Sequence, residues 1–104
     1  MKSEPYAIVF AEEANEHLDA LNAREKAIVV DAIERQLLHE PTKPTRNRKL
    51  MDPDRRSYVA TWELRVGPLR VYYEVEEADR VVLIVAIGRK VREKVKIGDK
   101  WIEP

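Results

Sequence analysis

From Trp62 to Val75 the chain reads Trp-Glu-Leu-Arg-Val-Gly-Pro-Leu-Arg-Val-Tyr-Tyr-Glu-Val, with Gly67-Pro68 at the reversal. Glycine tolerates the positive φ that a type II′ hairpin requires at its first central position. Proline suits the second, where the turn's φ is close to the value its ring imposes. A two-residue turn here sets a register. Val66 faces Leu69, Arg65 faces Arg70, Leu64 faces Val71, Glu63 faces Tyr72 and Trp62 faces Tyr73. Alternation along a strand then puts Ala60, Trp62, Leu64, Val66, Leu69, Val71, Tyr73 and Val75 on one face, a core. The other face carries Thr61, Glu63, Arg65, Arg70, Tyr72 and Glu74.

Two arginines opposite one another across a hairpin repel. A phosphate or another anion between them would remove that cost, because guanidinium presents a planar fork of donors. Glu63 and Glu74 could equally neutralise the pair on a solvated polar face. Both readings stay open at this point.

Upstream, Tyr6–Phe10 is a short apolar run with a strand's residue preferences. Its two faces are both apolar, which predicts a place inside the sheet. Residues 11–22 have helical spacing, with Ala14, Leu18 and Leu21 on one stripe and Glu12 and Glu13 favouring the first turn. Asn22 followed by Glu25 resembles a capping box and starts a second helix from Ala23 to Glu40. Ala27, Val30, Ile33 and Leu37 form its expected buried stripe, widened by Val29 and Leu38, and Pro41 and Pro44 stop it. Such a helical hairpin must lay its stripes on a sheet. His17 and His39 have no partner at a metal-ligand spacing and read as exposed or edge-of-core residues.

Residues 41–57 are polar and basic, with a short edge strand expected at Arg48–Met51 and a turn at Asp52–Arg55. Lys43, Arg46, Arg48, Lys49, Arg55 and Arg56 could follow a nucleic-acid backbone, or could serve as a charged edge that resists aggregation. Downstream, Glu76-Glu77-Ala78-Asp79 forms an acidic turn. Val81–Ile87 is continuously apolar and β-branched, which predicts a strand covered on both faces. Gly88 is expected to break it. The basic run Arg89-Lys90-Val91-Arg92-Glu93-Lys94-Val95-Lys96 follows, and Gly98-Asp99 turns a last short hairpin in which Trp101 and Ile102 pack back.

A chain of 104 residues makes one domain, 1–104, the natural expectation. The absence of cysteine rules out a disulfide framework and thiolate metal sites. No apolar run nears the length of a membrane helix, and the N-terminus does not read as a signal peptide. The expected location is the cytoplasm. A net charge of zero conceals segregation, since residues 1–40 hold four Lys/Arg against nine Asp/Glu and residues 41–70 hold eight against three. An acidic helical part and basic later segments suggest one face for a polyanion.

The hairpin Trp62–Val75, the strand ending Ala86-Ile87-Gly88 before a basic run, and the opening helical hairpin together resemble the RelE/ParE toxin superfamily. The resemblance covers nearly the whole chain. It implies an α+β fold in which an N-terminal strand and a helical hairpin pack on a small, mainly antiparallel, twisted sheet in the order β-α-α-β-β-β. It also implies the toxin of a bacterial toxin–antitoxin system, with a cognate antitoxin that masks its basic surface. Operator DNA would be met only through the antitoxin complex, and no membrane partner is implied. RelE-like members cut messenger RNA on the ribosome. ParE-like members inhibit DNA gyrase, and attenuated relatives act as interaction or regulatory modules.

RelE-like cleavage uses no metal and no cofactor. The RNA 2′-hydroxyl attacks the adjacent phosphate while the protein moves protons and steadies charge. Carried over, Arg70 matches the hairpin arginine that stabilises the transition state, and Arg65 a supporting basic position. Lys90 stands where an arginine follows the strand-ending glycine by two positions, and Arg92 matches a further arginine. Arg46, Arg48, Lys49, Arg55, Arg56, Arg89, Lys94 and Lys96 are the expected RNA-binding cations. The catalytic set is incomplete. Lys96 stands where RelE-type tails have a catalytic tyrosine, and Thr61 and Glu63 replace two lysines. Lys96 or Tyr72 is the candidate substitute. Messenger cleavage ranks first on the presence of Arg65, Arg70, Lys90 and Arg92, with gyrase inhibition as the alternative.

Overall fold

A computed structural model describes residues 4–55 and 58–102. The elements are β1 (Ala7–Phe10), α1 (Glu12–Asp19), α2 (Ala23–Leu37), β2 (Arg48–Leu50), β3 (Trp62–Val66), β4 (Leu69–Glu76), β5 (Val81–Val91), β6 (Lys94–Ile97) and β7 (Lys100–Ile102). Among the described residues the strands form one sheet in the order β2-β3-β4-β5-β6-β7, antiparallel throughout, and β1 joins β5 in parallel. This is the expected α+β architecture, with three strands more than the outline β-α-α-β-β-β contained: the edge strand β2, and β6 and β7 at the C-terminal end.

The β3–β4 hairpin has the register expected from its turn, pair for pair, and Gly67 has φ of +58°. Trp62 and Tyr73 stack across it with ring centroids 6.1 Å apart. Six of the eight expected core positions, from Trp62 to Tyr73, are buried under the helices, and Val75 packs at their margin. Ala60 is buried on the opposite side, with Tyr72, Ala86 and Val95. The chain bends at Ala60 and Thr61 before β3 begins, so strand alternation does not reach back to it.

α2 starts at the predicted capping box, where Asn22 Oδ1 accepts from the Glu25 N–H at 2.8 Å. Its buried residues are Val29, Ala32, Ile33 and Leu37, and Ala27 is exposed. The stripe is thus turned from the expected one. β1 lies at an edge and not inside the sheet. It pairs with β5 alone, Ile8 and Phe10 on one face lie beside Val30 and Ile33 of α2, and Val9 on the other remains 46% exposed. β5 is likewise not covered throughout on its outer face, since Leu83 is 37% exposed.

β5 shows two further departures from expectation. Gly88 does not break it; the strand runs on to Val91 and turns directly into β6. The register against β4 also shifts once, because Tyr72 faces Ala86 while Tyr73 faces Ile84. Val85 is the extra residue of a β-bulge. The bulge sets Val82, Ile84 and Ile87 all on the helix side. A Cβ at Gly88 would lie 2.8 Å from Val95 Cγ1 and Ile97 Cγ1, so glycine allows β6 to close against β5 here.

Candidate functional site

The bulge decides which cations share a surface. On the outer face, away from the helices, Lys49, Glu63, Tyr72 and Ala86 form one row across the sheet, and Arg65, Arg70 and Gly88 the next. Lys90 is on the same face, opposite Val95 of the outer cluster. Arg65, Arg70 and Lys90 therefore come together at the turn end of the sheet. Arg89 and Lys96 face one another on the helix side, and Lys94 shares that side by alternation. Arg92 is in the β5–β6 turn with φ of +58°. Arg46 and Arg55 are exposed in loops, and Arg56 lies outside the described residues.

The outer face is not a plain solvated surface. Glu63, Arg70 and Tyr72 are all buried, and Met51, Val59, Ile97 and Ile102 pack against the cluster that Tyr72 forms there with Ala60, Ala86 and Val95. Arg70 Nη1 donates to the carbonyls of Gly67 at 2.8 Å and Leu69 at 2.9 Å. Arg65 remains about half exposed and its Nε donates to Glu63 Oε1 at 3.3 Å. The predicted repulsion is thus met from within, by turn carbonyls on one arginine and a buried carboxylate on the other. A pocket of about 120 Å³ opens beside this pair, lined by Lys49, Met51, Asp52, Arg55, Glu63 and Arg65.

Tyr72 is the tyrosine beside the arginines. Burial first, and the Glu63 charge second, push its hydroxyl pKa well above the ordinary value. It stays a neutral phenol across any physiological pH. Tyr73 is raised by burial too, and its hydroxyl donates to the Pro41 carbonyl at 2.7 Å.

Arg48 and Arg89, two of the cations expected to bind RNA, also have structural engagements. Arg48 points to the helix side, where Nη1 donates to the carbonyls of Gln36, at 2.8 Å, and Glu40. The Gln36 carbonyl is in the last turn of α2, where no intrahelical donor remains, and the Glu40 carbonyl is in the loop just beyond it. Arg89 Nη2 donates to Glu25 Oε2 at 2.6 Å, and this contact holds the Glu25 carboxyl below its usual range. It ties the β5–β6 hairpin to the start of α2.

His17 does more than its sequence context suggested. Its Nδ1 accepts from the Ile87 N–H at 3.1 Å. β1 pairs with β5 up to Ile84 and β6 pairs from Arg89. The imidazole serves the backbone in the gap between them. It also lines a pocket of about 400 Å³ with Glu16, Leu21, Arg89 and Lys96. No spacing along the chain signals this, because α1 meets β5 across 70 positions.

A family model, the ParE toxin of type II toxin–antitoxin systems (parDE), matches residues 8–93. The chain belongs to this toxin family. No curated protein matches it. Among solved structures, the toxin resembles a chain of the toxin–antitoxin complex RelBE2 from Mycobacterium tuberculosis. The TM-score is 0.66 at 27% identity, covering 86% of this chain and 95% of the matched one. The expected superfamily and fold are both borne out. An antitoxin partner is supported by that likeness to a toxin–antitoxin complex. No helix among the described residues is long and apolar enough to cross a membrane.

Proposed function

We propose that this toxin acts by binding its target, DNA gyrase in the manner the ParE resemblance implies, and does not cut RNA. The reading rests on one observation, the placement of the groups that could move protons. Tyr72, next to the arginines, is buried in the outer cluster and closed to a substrate. Lys96, at the position where a catalytic tyrosine is expected, projects from the opposite side of the sheet. Attack by a 2′-hydroxyl needs both proton removal and leaving-group protonation close to the phosphate. What the outer face retains is charge stabilisation.

A second reading, ribosome-dependent messenger cleavage, is favoured by the adjacency of Arg65 and Arg70 with Lys90 on the same face. In it Arg65, Arg70 and Lys90 would steady the phosphate, with Arg46, Lys49 and Arg55 as further RNA contacts. Induction of the toxin without its antitoxin separates the two. Growth arrest with intact messenger RNA, and loss of supercoiling by purified gyrase on adding toxin, is the expected result. Cuts within codons, abolished by Arg70→Ala, would establish the second reading, and harmless expression would overturn both.

A further inference from the structure

We infer that His17 is a pH-sensitive latch between α1 and the sheet, closed while its imidazole is neutral and opened when the ring takes up a proton from solvent. This goes beyond the gyrase reading and does not depend on it. The edge of β5 that faces away from β4 has a gap in its ladder. β1 pairs as far as Ile84, the Ala11 N–H donates to the Ile84 carbonyl at 2.8 Å, and β6 pairs only from Arg89. Ile87 lies in that gap and is 4% exposed, and its N–H finds an acceptor in His17 Nδ1 at 3.1 Å. A neutral imidazole accepts at one nitrogen and donates at the other, so the ring here carries its proton on Nε2. With a proton on Nδ1 as well, both nitrogens are donors. The Ile87 N–H would then face a second N–H, and a buried donor left without a partner is costly. Either the ring turns away or α1 lifts from β5.

The charges around the ring leave this hydrogen bond as the deciding contact. His17 shares its pocket with Glu16 of α1, Arg89 of β5 and Lys96 of β6, and the apolar part of the lining includes Leu21 and Leu69. Arg89 is paired with Glu25 of α2. The Lys96 ammonium stands 5.7 Å from the ring centroid of Trp101, an indole expected to pack back that is instead 51% exposed. Glu13, one turn earlier on α1, is exposed, and Asp99 follows Gly98 in the β6–β7 turn. Glu16 and Lys96 act on an imidazolium with opposite signs, so neither state of the ring is held by charge alone. On its other edge the ring meets the β6–β7 turn, where a Cβ at Gly98 would sit 3.3 Å from Nε2. Opening the latch loosens α1, the gap in β5 and that turn together.

The test is amide hydrogen exchange of the purified toxin, read at Ile87 from about pH 8 to about pH 5, the range in which histidine changes charge. As the ring is protonated, the protection factor of Ile87 should fall by up to about tenfold per pH unit, and that of Val71 in the hairpin core should fall less. His17→Asn keeps an acceptor oxygen near the place of Nδ1 on a residue of similar helix propensity, and it does not titrate. Its Ile87 protection should not change with pH. His17→Leu removes the acceptor and should give the low protection of the acid form at every pH. His39→Asn, at an exposed position, should keep the parent profile. If His17→Leu does not fold, the parent and the two asparagine variants decide. The proposal is overturned if Ile87 protection in the parent is level across this range, if His17→Asn still shows the fall, or if His39→Asn abolishes it.

Discussion

Replacing Gly88 by alanine isolates the contact that lets β6 close over β5. The added Cβ would sit 2.8 Å from Ile97 Cγ1, 2.8 Å from Val95 Cγ1 and 2.9 Å from the Lys96 carbonyl oxygen. Carbon atoms prefer a separation of about 3.5–4.0 Å. Ile97 is partly exposed and can turn away. Val95 is fully buried against Tyr72 and Ala86, and the carbonyl is backbone, so β6 itself must move. Overpacking of this kind costs about 1–3 kcal/mol, and a backbone clash belongs at the upper end. Removing a flexible glycine from a strand offsets about 0.5–1 kcal/mol. The net loss is about 2 kcal/mol, a fall in melting temperature of about 8–16 °C for a domain of this size. Thermal melting and urea midpoints read the size of the effect, and amide exchange reads its place. Protection should fall in β6 and the second half of β5 before it falls in β3. Gly67→Ala is the contrast. Nothing lies within 4 Å of its Cβ, and its strain comes from φ of +58° alone. Asparagine should therefore be tolerated better than alanine at Gly67 and worse at Gly88. A Gly88→Ala protein as stable as the parent, with hairpin protection unchanged, would refute the reasoning.

Two further predictions concern stability. Arg48→Ala should cost about 1–3 kcal/mol in urea unfolding, since it strips a charged donor from the Gln36 carbonyl in the last turn of α2 and the Glu40 carbonyl in the loop beyond. Arg48→Lys should recover part of the loss. Alkaline pH should destabilise the fold from about pH 10 upward, because Tyr72 and Tyr73 have folded-state pKa values raised above the unfolded one. Their contribution is complete below the unfolded pKa and is lost as pH rises through the folded values. Each tyrosine contributes a slope of up to about 1.4 kcal/mol per pH unit. Melting temperatures measured across this range should drop less in Tyr72→Phe, and an unchanged profile in that variant would contradict the assignment.

Much of this fold was legible where one local constraint settles the geometry. The Gly67-Pro68 turn dictates the hairpin register, and with it the pairing of Arg65 with Arg70. Asn22 and Glu25 mark the start of α2 because capping is short-range. Legibility fails where the deciding partner is remote. The α2 stripe takes in Val29 and Ala32 and leaves Ala27 exposed, a choice set by the sheet the helix meets and not by its own periodicity. Arg48 reads as a surface cation until the end of α2 comes back to meet it. Tyr72 reads as half-solvated until Ala60 and Val95 close over it.

The site turns on a feature that polarity could not reveal. Val81 to Ile87 is apolar at every position, so alternation carries no information about which residue is doubled in the ladder. Counting outward without a bulge would place Arg89 beside Arg70 and send Lys90 to the helices. One extra residue at Val85 reverses this. Gly88 faces Arg70, Lys90 joins the arginine pair, and Arg89 turns inward to Glu25. The tight Arg92-Glu93 turn reverses the count once more, since Lys90 is opposite Val95 and not Lys96. Two cations six positions apart in one chain segment thus end on opposite surfaces. A basic tail that looked like a single reserve of charge becomes two surfaces, one beside Arg65 and the buried Arg70 and one around an exposed indole.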